Sequence, residues 1–277
     1  MPFKIIREDI TKIKCKDIPK HDILCAGFPC QPFSISGNKK GFKDENGKLF
    51  FEIVRIARFH KPKVIFLENV KNLEVHDGGQ TLDTIKKKLK ELGYKTFAKV
   101  LNSSDFEVPQ ARKRIYIVAL KNNLKITDFK FPEGYGELKC LEEILLSDIS
   151  EEYWLRHEYE INHDINEIKT NRLLRIGSIG PGRQGERIYS IKGQSITLSS
   201  QGGGPGGKTG IYYMNNGIRI LCPRECARLM GYPDDFMLAE TKCDAYKQFG
   251  NSVVVNVIQE IAKEISIKLE EVTSEKH

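Results

Sequence analysis

Residues 22–37 read DILCAGFPCQPFSISG, a short apolar run that ends in Cys30 behind Pro29 and gives way to Ser, Gln and Gly. A cysteine just past a strand end is placed to act as a nucleophile if it is partly exposed and its surroundings favour the thiolate. The competing reading, an inert core thiol, fits mid-strand Cys25 better than Cys30. FLENV sets Glu68 and Asn69 at the end of a second apolar run. A carboxyl group there can hold or donate a proton to a reacting ring, although a helix cap or a surface acid would look the same. QARKRIY brings Arg112 and Arg114 in at alternate positions, so both should point to one side of a sheet. A solvated basic edge is the plainer alternative.

These residues need a frame. HDILCAGF reads as a buried strand, LFFEIVRIARFH as a helix, PKVIFLENV as a second strand, GQTLDTIKKKLKELG as an amphipathic helix stopped by Gly93, and RIYIVAL as a third strand. That alternation predicts parallel pairing in a doubly wound α/β sheet, whose sites lie at the carboxyl ends of the strands. From about residue 140 the texture changes. LEEILLSDISEEYWLRHEYEIN reads as an acidic, helical stretch, and residues 175–222 are rich in Gly, Ser, Arg and β-formers, with a hairpin turn at NNG, 215–217. The last segment returns to helical periodicity. The predicted organisation is an α/β catalytic domain over 1–140, a small β-rich domain over 141–243, and a C-terminal segment, 244–277, that rejoins the first.

The chain has 277 residues and a formal charge of +7, from 44 Lys and Arg against 37 Asp and Glu, which suits a polyanionic partner and equally an ordinary basic protein. Seven scattered cysteines fit neither a disulfide framework nor a paired zinc motif, so no metal is expected and the compartment should be reducing. No apolar run approaches the roughly 20 residues that span a bilayer, and no signal-peptide pattern opens the chain. A cytoplasmic protein with no membrane partner is expected.

Two glycine-rich strings imitate nucleotide motifs. GPGRQG, 180–185, fits the dinucleotide fingerprint and GGGPGGKT, 202–209, the phosphate loop, but each runs on into a β-pattern where the mechanism needs a helix N-terminus. With Arg183, Gln184, Arg187 and Lys208 among the glycines, they read instead as flexible loops suited to phosphates and base edges, or as plain surface loops.

GFPCQPFS, FLENV, QARKRIYIV, PRECARLMGYP and QFGNSVVVNV resemble, in order and spacing, the motifs of DNA cytosine-5 methyltransferases of bacterial restriction and modification systems, over about residues 7–262. GRQGERIYS and SITLSSQGGG are similar to the target-recognition region of the HhaI type. The resemblance implies a methyltransferase sheet with a smaller β-rich recognition domain, S-adenosylmethionine as cofactor, and double-stranded DNA as partner, with the target cytosine swung out of the stack. A cognate restriction endonuclease would act on the same site without necessarily binding. By the same resemblance, Cys30 adds to C6 of the base, Glu68 pairs with N3 and the exocyclic amine, Arg114 contacts the flipped base, and Arg112 supports it. Asp9, Ile10, Pro29, Leu49, Asn251 and Ser252 match cofactor-contacting positions. Ser36, Gln184, Arg187, Thr197 and Gln201 match DNA-contacting ones. Gln184 would fill the space left by the base and Arg187 would read a guanine. Gln201 stands where the HhaI type has a tyrosine, which leaves the recognised site open, and residues 31–48 resemble the lid that closes over DNA.

The family's opening Gly-rich strand-to-helix turn, similar to FAGIGG, has no counterpart, because Met1 stands eight residues before Asp9. The expectation is a sheet lacking its first strand, helix and second strand, and activity that needs an N-terminal fragment or subunit. The alternative is an inactive, sequence-specific DNA-binding remnant.

Overall fold

The computed structural model describes residues 8–29, 47–135, 139–162, 170 and 172–274. It divides into two compact units, one made of Met1–Leu101, Lys113–Phe131 and Glu264–His277 and the other of Asn102–Arg112 and Pro132–Lys263.

The first unit is an α/β layer built from β1 (Ile23–Gly27), α1 (Gly47–His60), β2 (Val64–Val70), α2 (Gln80–Glu91), β3 (Tyr94–Asn102) and β4 (Lys113–Lys121). The sheet order is β1-β2-β4-β3. β1 and β2 are parallel, with Gly27 opposite Glu68. β4 is antiparallel to β2, with Val64 opposite Leu120 and Val70 opposite Arg114. The parallel pairing expected of the third strand is therefore corrected: β3, hidden in the sequence by Lys95 and Lys99, intervenes after α2 and reverses the direction in which the chain enters β4. Alternation along β2 and β4 sorts their side chains to two faces. Ile65, Leu67, Ile115 and Ile117 join one core with Ile53 of α1 and Ile85 of α2. The opposite face carries Glu68 and the stacked rings of Phe66 and Tyr116, 6.2 Å apart.

β1 is an edge strand, and its outer side has no partner strand among the described residues. Ile23 on it is 44 % exposed. Cys25 is exposed too, so it is not the core thiol its mid-strand position predicts: burial at mid-strand requires a neighbour on both sides, and β1 has one.

The second unit holds a five-stranded mixed sheet in the order β5 (Glu160–Ile161), β6 (Arg175–Ser178), β7 (Arg187–Ser190), β8 (Ile211–Met214) and β9 (Gly217–Arg219). β8 and β9 form the expected hairpin, with Met214 paired to Gly217 across Asn215 and Asn216. Ile176, Ile188, Ile211 and Ile218 make its core. The acidic stretch from 141 onward is not an α-helix. It forms 3-10 turns at Leu141–Ile144 and Glu151–Tyr153 and ends in β5. Two of its amide groups find partners far along the chain, Leu141 N donating to Gly193 O and Leu155 N to Ile218 O, and its local bonds, such as Leu145 N to Glu142 O, close only three-residue turns. α3 (Pro223–Leu229) and α4 (Lys242–Asn251) come next, and α5 (Val255–Ser274) closes the described chain. Arg219 and Glu225 are a buried ion pair at 2.7 Å. Glu225 also accepts from Cys222 N and Leu146 N, which satisfies its remaining lone pairs.

The two glycine strings are not flexible loops. Gly206 N donates to Gly185 O at 2.8 Å. A Cβ on Gly202 would lie 2.7 Å from Gly207 Cα, and one on Gly185 would lie 3.2 Å from Gly203 C. The backbone that these glycines admit so closely is their own: 180–185 and 202–209 pack on each other, and glycine is required because no side chain fits between them.

Candidate active site

In the first unit the site is built around Glu68. The carboxyl end of β2 presents it on the face opposite α1 and α2, beside Gly27 of β1, where an added Cβ would lie 3.8 Å from Glu68 Oε2. Arg114, at the start of antiparallel β4, reaches the same face and sets its Nε 3.2 Å from Glu68 Oε1; the two side chains are 14 % and 19 % exposed. Burial pulls the Arg114 guanidinium below its usual range, and the Glu68 carboxylate opposes that pull. The arginine stays charged, since the ordinary guanidinium value lies so far above neutrality.

Asn69 points to the other side and is buried, with Nδ2 donating to Phe28 O at 2.7 Å. Its Oδ1 accepts from Val70 N. This bond fixes the backbone two residues before Cys30. Asn69 thus positions the loop, a role that sequence reading missed, although a lone amide in an apolar strand was its signal. Pro29 is exposed. Cys30, Ser36 and lid residues 31–46 lie outside the described residues.

Asp9 caps the 3-10 turn Ile10–Lys12 by accepting from Thr11 N and Thr11 Oγ1. Those bonds hold its carboxyl below the usual range. Arg55 of α1 ties this segment down by donating to Ile10 O, Ile13 O and Cys15 Sγ. Leu49 is half-buried in the first turn of α1.

In the second unit Arg112 does not share a strand with Arg114, because β4 begins one residue after it. It is 3 % exposed. Its Nη1 donates to Leu198 O at 3.2 Å, and its Nη2 to Gly250 O at 3.1 Å and Ser252 O at 2.6 Å. The guanidinium thereby ties the end of α4 to residues 195–201. Gln110 works alongside it, donating to Leu229 O and accepting from Leu198 N; the sequence reading missed it. Thr197 donates its hydroxyl to Ala111 O. Gln201 and Gln184 are exposed, and Arg187 opens β7 with its Nε 3.4 Å from Gly182 O. Asn251 is exposed and lines an open recess of about 570 Å³ with Asp244 and Lys247. Ser252 Oγ is 2.8 Å from Tyr232 Oη.

In the first unit the exposed Asp9 carboxylate keeps lone pairs beyond those Thr11 uses, which suits an exocyclic amine. In the second unit Asn251 offers a carboxamide that both donates and accepts. Among the described residues no cluster of His, Cys, Asp or Glu could hold a metal ion, and no helix is long and apolar enough to cross a membrane.

A family model for C-5 cytosine-specific DNA methylase matches residues 1–267. The chain is 50 % identical over 263 residues to the type II methyltransferase M.HhaI of Haemophilus parahaemolyticus, covering 94 % of this chain and 80 % of that one. It is 39 % identical over 268 residues to M.NlaX of Neisseria lactamica, covering 97 % and 83 %. Among solved structures it is similar to a mutant DNMT2 of Spodoptera frugiperda, with TM-score 0.70, 20 % identity, and 94 % and 85 % coverage. The Entamoeba histolytica methyltransferase EhMeth gives TM-score 0.68 at 17 % identity, with 96 % and 84 % covered. At such identities the structural likeness speaks for the fold, the α/β methyltransferase architecture with a mixed sheet.

Proposed function

Since the chain belongs to the C-5 cytosine-specific DNA methylase family, we propose that it methylates C5 of a flipped-out cytosine in a specific duplex site, as part of a cytoplasmic restriction-modification system. The observation that carries this reading is the Glu68–Arg114 pair at the carboxyl end of β2, with Asn69 holding the backbone just ahead of Cys30.

In this reading the Cys30 thiolate adds to C6 of the base. Glu68 accepts from the exocyclic amine and gives N3 a proton as the sulfur adds, which neutralises the negative charge that builds on the ring, while Arg114 donates to the base and keeps the Glu68 side chain oriented. The electron pair displaced from the C5–C6 double bond makes C5 nucleophilic. S-adenosylmethionine, when bound, supplies the methyl group that C5 takes up; Asp9, Ile10, Pro29, Leu49, Asn251 and Ser252 would hold it. Loss of the C5 proton then restores the double bond and expels the Cys30 sulfur. Arg112 is the residue that keeps Ser252 and the recognition segment in register. Gln184, Arg187, Thr197 and Gln201, of a recognition domain over 141–243, meet the DNA, as does Ser36 of a catalytic domain over 1–140 that the segment 244–277 rejoins.

The outer edge of β1, which has no partner strand among the described residues, supports a further element of the reading: an additional strand there, carrying a Gly-rich turn, completes the cofactor site.

The test is methyl transfer from labelled S-adenosylmethionine to cytosine-containing duplex, with and without an added N-terminal fragment. Transfer that Cys30→Ser abolishes is the expected result, and substantial transfer by that variant overturns the mechanism. Transfer without the fragment overturns the completed-sheet element. Selective DNA binding with no transfer under either condition makes the chain a binder.

A further inference from the structure

The far rim of the first unit's sheet carries a second feature. Arg114 marks one end of the β2–β4 pairing and Leu120, six residues on, the other, a span of about 20 Å. Just beyond Leu120 is a recess of about 300 Å³ walled by Lys86 and Lys90 of α2, Tyr94, Lys95 and Thr96 of β3, and Asn122. The walls are fixed. Tyr94 Oη donates to Pro62 O at 2.6 Å, and Asn122 N donates to Gly93 O at 2.9 Å. Gly93 makes the turn between α2 and β3 at φ +84°.

No carboxylate lines this recess. Glu91 is held by Lys88 at 2.8 Å, and Asp22 by Lys63 at 3.4 Å. The i, i+4 spacing puts Lys86 and Lys90 on one face of α2, and neither they nor Lys95 has an ion-pair partner among the described residues. Asn122 brings a carboxamide, whereas the Thr96 hydroxyl is buried and unpartnered among the described residues. Two ammonium groups without a carboxylate partner, a third that lies 5.8 Å from the Phe97 ring, and a neutral carboxamide around a concavity make a site for a phosphate. Lysine suits it as a point charge that needs no fixed geometry.

We propose that this recess binds a backbone phosphate of duplex DNA away from the target base, a sequence-independent contact at the rim opposite Glu68 and Arg114. DNA is the polyanion on which the family acts, and the chain's +7 charge favours it. The contact adds affinity and no sequence information. It lets the protein hold non-target duplex while the cytosine site is empty.

The test reads binding alone, so it is independent of methyl transfer. The full chain and its Lys86→Gln/Lys90→Gln/Lys95→Gln variant are titrated with a duplex of A·T pairs only, which offers no cytosine, over a range of salt. The slope of log K against log salt is expected to lose about 0.9 units of magnitude, the share of one phosphate. A Lys242→Gln/Lys263→Gln/Lys268→Gln variant removes the same charge from lysines already paired with carboxylates, and should leave the slope unchanged. Equal slopes in the recess variant and the unmodified chain overturn the proposal, as does absence of binding by the unmodified chain. Protection of Lys86, Lys90 and Lys95 from an amine-reactive reagent by inorganic phosphate, with no change in the DNA slope, also overturns it and leaves a small-anion site.

Discussion

Gly250 lies next to the end of α4, and its replacement by alanine sets two effects against each other. Alanine is favoured over glycine in a helix by about 1 kcal/mol. Against that, a Cβ at Gly250 would lie 2.5 Å from Ser199 C and 2.7 Å from Ser200 Cα. Both are backbone atoms, which cannot rotate away. Ordinary contact begins at 3.4 Å and the nearest atom, Ser200 N, would lie at 2.2 Å, so the two segments must part by 3.4 − 2.2, or 1.2 Å. Forcing one extra carbon into a packed joint costs about 1–3 kcal/mol. The same displacement stretches the bond from Arg112 Nη2 to Gly250 O, now 3.1 Å, and a hydrogen bond from a charged donor contributes about 1.5–3 kcal/mol. Steric cost plus one lost bond, less the helix preference, leaves Gly250→Ala destabilised by roughly 1.5–5 kcal/mol. Urea unfolding followed by fluorescence measures this in the right place, because the single tryptophan, Trp154, belongs to the same unit and packs 3.6 Å from the Cβ position of Gly217. A variant as stable as the parent, or more stable by the helix preference alone, would show that α4 and residues 199–200 are not in contact.

The glycine knot makes a sharper contrast. Gly202→Ala should prevent the second unit from folding stably, since its Cβ would strike the backbone of Gly207, whereas Gly203→Ala, with nothing within 4 Å, should stay within about 0.5 kcal/mol of the parent; thermal unfolding monitored at Trp154 compares them. Burial pushes the Tyr94 phenol up to about 12 from an ordinary 10.0. The unfolded chain therefore loses that proton first, and the stability Tyr94 contributes is complete below pH 10.0 and lost between there and about 12; Tyr94→Phe should flatten this part of an alkaline denaturation curve. Arg187→Ala should weaken discrimination at one guanine of the recognised site by about 1–3 kcal/mol, measured by competition among single-base site variants, and an unchanged preference counts against the recognition assignment.

Much of the first unit was legible because periodicity reports which face is buried: β1, α1, β2, α2 and β4 follow from it, and Glu68 falls at the strand end expected of it. Strand direction was not legible. β4 reads the same whether it runs with β2 or against it, and β3 was hidden because Lys95 and Lys99 continue the basic pattern of α2. The stretch from 141 onward has a helix-like composition, but two of its amide groups are committed to neighbours far along the chain, Gly193 and Ile218. The site was half legible. Alternation put Arg112 and Arg114 together, but the strand starts at Lys113 and frees Arg112 to bind three carbonyls. Glycine content marked 180–185 and 202–209 as special without showing that each is the other's partner.

The antiparallel pairing of β2 and β4 also has a consequence in time. Its paired residues are from 114 − 70, or 44, to 120 − 64, or 56, residues apart, and pairings at such separation form late, because the loop entropy is spent before the contact forms. During synthesis the interval between completing Val70 and completing Lys121, 51 residues later, is about 3 to 10 s at 5–20 residues per second. Throughout it the nascent chain has Glu68 without Arg114 and a bare apolar strand beside it. The Glu68–Arg114 pair thus arrives in one step, after the ribosome has passed β4, and a chain released before that point lacks the pair and leaves an apolar strand open to chaperones and proteases.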